Sequence, residues 1–93
     1  MSGENRMFKF KWTKQAIKDW KRIERSEYVD KVKELLCIIE QDPYQEPPKV
    51  KMLSGNLKGI CSRRINQQHR LTYMVFEETK EIRIIGMLTH YHE

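Results

Sequence analysis

Between Glu46 and Glu77 the chain carries no carboxylate, while Lys49, Lys51, Lys58, Arg63, Arg64 and Arg70 all fall in that window. A row of fixed positive charges without an internal counter-charge invites an outside polyanion. Inside the window, Ser62-Arg63-Arg64-Ile65 is followed by Asn66-Gln67-Gln68 and then by His69-Arg70-Leu71-Thr72-Tyr73. Two β-type runs across a short polar turn bring Arg64 and Arg70 face to face. Like charges directly opposite on a sheet are destabilising, so their placement points to binding rather than to folding.

The chemistry open to such a face is phosphodiester cleavage. Guanidinium groups hold phosphate oxygens in a bidentate fork and stabilise the extra charge of a pentacoordinate transition state. A histidine such as His90 can protonate a leaving 5′ oxygen near neutral pH. When the 2′-OH of RNA is the nucleophile no metal is needed, and the window holds no carboxylate cluster to bind one. RNA is therefore expected over DNA, with a cyclic phosphate and a 5′-hydroxyl as products, and no cofactor. Blander roles compete. Arg64 and Arg70 can be solvated strand charges, and His90 and His92 polar tail residues. Arg63 points to the apolar side, where pairing with a helix carboxylate competes with an RNA contact. His69 reads as a core histidine, and Trp12 and Trp20 as core anchors.

The elements that must position these groups follow from periodicity. Phe8-Lys9-Phe10-Lys11-Trp12 alternates as a strand. Thr13 is placed to cap a helix whose stripe is Ala16, Ile17, Trp20 and Ile23. Ser26 is expected to cap a second helix with the stripe Val29, Val32, Leu35, Leu36 and Ile39, stopped by Pro43. A short polar turn between them predicts an antiparallel helix pair. Beyond a loop marked by Pro43, Pro47 and Pro48, the period becomes alternating, with strands expected over 50–53, 60–65, 69–76 and 82–91. The fold class is therefore α+β: two N-terminal antiparallel helices on a mostly antiparallel, twisted sheet of four to five strands. Pairing Ile65 with His69 puts Arg64, Arg70, Ser62 and Thr72 on one face. Cys61, Ile65, Leu71, Tyr73 and Val75 then form the wall for the helices. Pairing Glu77 with Glu81 brings His90 to the arginine face, and a slip of one residue reverses that.

With 93 residues the chain reads as one domain over 1–93, residues 1–6 forming a polar tail that is expected to fray and Met7 offering an alternative start. Its net charge of +5 is uneven. Residues 1–46 hold ten Lys and Arg against nine acids, and residues 47–93 hold eight against four. The basic, partner-facing surface thus belongs to the second half, and the near-neutral helical half argues against a DNA-reading helix. Cys37 and Cys61 read as separate buried thiols. No apolar run approaches the roughly 20 residues that span a membrane, and a cytoplasmic location is the default.

Taken together, Leu53-Ser54-Gly55-Asn56-Leu57-Lys58-Gly59, Ser62-Arg63-Arg64-Ile65, His69-Arg70-Leu71-Thr72-Tyr73 and the terminal Thr89-His90-Tyr91 resemble the YoeB/Txe branch of the RelE toxin superfamily. The resemblance runs from Trp12 to Tyr91. It implies a microbial-ribonuclease-like fold, and an endoribonuclease that enters the ribosomal A site and cleaves the bound mRNA. It also implies a cognate antitoxin protein, commonly with an acidic, partly disordered tail, and leaves a homodimer open. By position, Arg64 and Arg70 match the family's catalytic arginines, His90 the proposed general acid, and Tyr91 its accompanying aromatic. Lys49, Lys58 and Arg63 would grip the backbone of mRNA or ribosomal RNA.

One departure concerns the base. Family members carry a glutamate two residues before the leucine of the L-x-G block, where this chain has Lys51. Lys51, with Lys49 beside it, can replace the glutamate; Glu46 can swing in from the proline loop; or the chain is a catalytically weakened module that binds RNA or the ribosome.

Overall fold

A computed structural model describes residues 7–53 and 59–88. The element order is β1 (Lys9–Trp12), α1 (Lys14–Ile23), α2 (Val29–Gln41), β2 (Lys51–Met52), β3 (Ile60–Arg64), β4 (Arg70–Phe76) and β5 (Glu81–Gly86). The strands form one sheet in the order β1-β5-β4-β3-β2, parallel at β1/β5 and antiparallel elsewhere. Both helices pack on one face of it, as the α+β expectation required. No helix among the described residues is long and apolar enough to cross a membrane.

Alternation accounts for the core. Cys61, Leu71, Tyr73, Ile82 and Ile84 point to the helix side, where they meet Ala16, Ile23, Val32, Leu35 and Ile39, all buried. The other face carries Lys51, Ser62, Arg64, Arg70 and Thr72 at one end. The β3–β4 turn is made by Asn66, whose Oδ1 accepts from the N–H groups of Gln68 (2.7 Å) and His69 (2.6 Å), while Ile65 N–H donates to His69 O at 2.9 Å. An asparagine bonding the backbone two and three residues ahead is a local turn former, and it fixes the register of the hairpin.

The second hairpin differs from expectation. Phe76, not Glu77, pairs with Glu81, so the pairing from Tyr73 to Phe76 is one residue away from the predicted register. Between Tyr73 and Thr72 the register shifts, with Tyr73 opposite Ile84 and Thr72 opposite Gly86. Ile85 is the extra residue of this bulge, and beyond it the register is again the predicted one. The final strand ends at Gly86, with Met87 and Leu88 outside it, and the rest of the predicted stretch to Tyr91 lies outside the described residues.

Three further expectations are corrected. Ile17 is exposed, and Asp19 takes the buried place on the α1 stripe between Ala16 and Ile23. Ser26 does not cap α2, which begins only at Val29. Its hydroxyl instead donates to Ile23 O (2.8 Å) and accepts from Tyr28 N–H (3.1 Å), bridging the helix link. Cys37 is exposed, whereas Cys61 is buried as expected. Thr13 does cap α1, accepting from Ala16 N–H at 3.0 Å, and its hydroxyl also donates to Ile85 O at 2.8 Å.

Candidate functional site

Arg64 and Arg70 stand opposite each other on β3 and β4, at the end of the sheet face turned away from the helices. Ser62 and Thr72 form the next pair on that face, and Lys51 of β2 pairs with Ser62, which carries the row onto a third strand. Arg70 is oriented by a hydrogen bond from its Nε to Ser62 Oγ. Thr72 Oγ1 donates to Gly86 O at 3.2 Å, tying the row to the end of β5. Arg64 is exposed and makes no ion pair among the described residues.

These side chains open onto a cleft of about 710 Å³ lined by Lys31, Pro48, Lys49, Lys51, Arg64, Ile65 and Arg70. Lys49 and Lys51 therefore share the space of the arginines. No carboxylate lines the cleft among the described residues. Glu46 is turned elsewhere: its carboxylate accepts from Val50 N–H at 3.0 Å and borders a separate hollow of about 330 Å³ with Pro47 and Lys49. Lys31 reaches the cleft from α2, and it was not anticipated. With Asp30 before it and Glu34 after it, Lys31 reads along the chain as one charge on an ordinary solvated helix face.

Arg63 is removed from the expected nucleic-acid surface, and it does not pair with a helix carboxylate either. It is fully buried. Its guanidinium donates to Tyr73 Oη (3.0 Å), Pro48 O (2.6 Å), Pro43 O (3.1 Å) and Gln45 O (2.8 Å). The Tyr73 hydroxyl in turn donates to Pro43 O at 2.6 Å. The loop between α2 and β2, rich in proline and with cis bonds at Glu46–Pro47 and Pro47–Pro48, is thus held by one buried cation. Alternation explains the division of labour. Neighbours in a strand face opposite ways, so Arg64 meets the cleft while Arg63 holds the loop that brings Pro48 and Lys49 to it. Burial drives the Tyr73 phenol up to about 12, against the opposing pull of the Arg63 guanidinium. Burial likewise raises the Cys61 thiol.

Lys58, His90 and Tyr91 lie outside the described residues. His69 is half-buried at the turn, consistent with a structural part.

A mostly antiparallel sheet backed by two helices, with a cationic cleft at its Arg64–Arg70 end, defines a small α+β domain. The model of the YoeB-like toxin of bacterial type II toxin–antitoxin systems matches residues 12–91, and the chain belongs to that family. It is 39% identical over 57 residues to a Synechocystis sp. Toxin YoeB, a stretch covering 61% of this chain and 64% of that protein. Among solved structures, the YoeB/ParE toxin from Agrobacterium tumefaciens superposes with a TM-score of 0.82 at 28% identity, covering 90% of this chain and 100% of that one. Toxin chains in a YoeB–YefM complex and in a YoeB dimer, both from Staphylococcus aureus, are each 33% identical to it. They have TM-scores of 0.77 and 0.78, covering 90% and 91% of this chain and 98% and 99% of those.

Proposed function

We propose that this toxin is a ribosome-dependent mRNA endoribonuclease that acts in the cytoplasm by metal-independent attack of the RNA 2′-OH. The observation that carries the proposal is the direct pairing of Arg64 with Arg70 over a cleft that Lys49 and Lys51 also line. Two guanidinium groups on adjacent strands bracket one phosphate, whose oxygens gain charge as the phosphorus becomes pentacoordinate. Lys51 takes the 2′ proton as the 2′ oxygen bonds to phosphorus. The bond from phosphorus to the 5′ oxygen then breaks, and His90 gives its proton to that oxygen. The products are a 2′,3′-cyclic phosphate and a 5′-hydroxyl. Tyr91 positions a base, while Lys49 and Lys58 hold the backbone of mRNA or ribosomal RNA. Lys51 is favoured over Glu46 as the base because it shares the row of the arginines, whereas Glu46 is occupied by Val50 N–H.

An antitoxin is the expected protein partner, by likeness to the YoeB–YefM complex, and a homodimer by likeness to the YoeB dimer. Primer extension on a message translated in the presence of the protein tests the proposal. Cuts within codons are expected, and they should vanish in an Arg64→Ala/Arg70→Ala variant that still folds. An intact message together with salt-sensitive ribosome binding would leave a catalytically weakened binding module of the same fold.

A further inference from the structure

We propose that Asp19 is a positioning residue for the C-terminal end of the sheet, fixing the backbone from which the segment carrying His90 departs. This rests on the assignment of His90 as general acid given above. Asp19 is only 2% exposed, on a stripe of α1 where an apolar side chain would be expected. A carboxylate belongs there only if its oxygens are matched by donors. Oδ2 accepts from two consecutive backbone N–H groups, Met87 at 2.9 Å and Leu88 at 3.2 Å. Oδ1 accepts from Gln15 Nε2 at 2.9 Å. The two N–H groups lie just past Gly86, the last residue of β5 in the ladder, so Asp19 takes over where β4 stops holding the strand.

The same helix also grips the bulge. Thr13, the N-cap of α1, donates through Oγ1 to the carbonyl of Ile85, the extra residue. That extra residue puts Gly86 opposite Thr72, on the face of Ser62, Arg64 and Arg70. Without it, Ile85 would face Thr72 and every later residue of β5 would change sides. Thr13 and Asp19 together therefore set the face and the direction in which the chain leaves the sheet. His90 follows Leu88 by two residues, a reach of at most about 7 Å along the backbone. A carboxylate on α1 thus anchors the backbone two residues before the imidazole assigned as general acid.

Asp19→Asn tests this in the full-length protein, with urea unfolding as the control for folding. Amide exchange at Met87 and Leu88 should accelerate about tenfold or more, while Ile82 and Ile84 keep their protection. The imidazole resonances of His90 should shift or broaden. Single-turnover cleavage on ribosomes should slow by about tenfold to a hundredfold with KM unchanged, within the range that a general acid contributes. Asp19→Asn added to His90→Ala should cost nothing more than His90→Ala alone. Unmoved amides and His90 resonances would overturn the proposal, as would a uniform rise in exchange across β5, which would make Asp19 a holder of the fold. If His90→Ala cleaves normally while Asp19→Asn still displaces the tail resonances, the general-acid assignment fails and the positioning role stands. Should Asp19→Asn not fold, Gln15→Ala removes the donor to Oδ1 and leaves the carboxylate in place. A smaller change at the same two amides is then expected, and no change there overturns the proposal.

Discussion

Arg64 and Arg70 are ladder partners on adjacent strands, two like charges in direct apposition on the open face of the sheet. Neither is paired with a carboxylate among the described residues, and Arg70 is aimed by Ser62 rather than neutralised. Such a pair opposes folding until an anion settles between the two groups, so site and stability are set against each other at one rung of the sheet.

Removing one of the two charges should therefore stabilise the protein while silencing it. Arg64→Gln is expected to raise unfolding stability by about 0.2–1 kcal/mol, the scale of a cross-strand pair, and more at low salt than at high salt. Cleavage should fall by about a hundredfold or more, the scale of a lost oxyanion donor. Urea titrations at two ionic strengths and primer extension check the two halves. A loss of stability would mean that Arg64 serves the fold.

Lys51 shares the cleft with the arginines and Glu46 does not, so exchanges at the two positions should behave differently. Glu46→Ala is expected to leave cleavage within about twofold, whereas Lys51→Ala lowers it by about a hundredfold, the scale of general-base catalysis. Lys51→Glu should restore much of the rate. Loss of cleavage in Glu46→Ala would transfer the base to the proline loop.

Arg63 should matter to the loop and not to the phosphate. In Arg63→Met the carbonyls of Pro43, Gln45 and Pro48 lose a buried charged donor, at an expected cost of about 2–4 kcal/mol in urea unfolding. The salt dependence of ribosome binding should keep its slope, since no phosphate contact is removed. A slope reduced by about one would put Arg63 back on the RNA.

Much of this architecture was legible along the chain, and the misses share a cause. The Arg64–Arg70 pair follows from a polar turn whose Asn66 is its own turn former, so local chemistry sufficed. The Ile85 bulge carries no local marker; its carbonyl is held by Thr13, and the backbone just beyond it by Asp19, roughly seventy residues away. Hydropathy favoured Ile17 for the core over Asp19, but two backbone N–H groups just past the last strand outweigh an apolar side chain at that contact. In the same way, alternation turns Arg63 to the apolar side, but a helix carboxylate or RNA was the partner expected there, because its acceptors are loop carbonyls, which no residue type announces.

Alkaline pH should expose the buried Tyr73. In the unfolded chain a phenol ionises near 10, whereas in the fold Tyr73 keeps its proton up to about 12, because burial outweighs the nearby Arg63. The folded value is the higher one, so this stabilisation is complete below about pH 10 and is lost as pH climbs towards 12. A difference of two units caps the loss at about 2.7 kcal/mol. The Cys61 thiol is raised from 9.0 in the same direction, so the decline should begin near pH 9. Urea midpoints measured from pH 8 to 11 should fall steadily in the native protein. In Tyr73→Phe the starting stability should be lower, because the bonds to Pro43 O and Arg63 are gone, and the fall above pH 10 shallower. Parallel curves for the two proteins would mean that the Tyr73 hydroxyl is free to ionise within the fold.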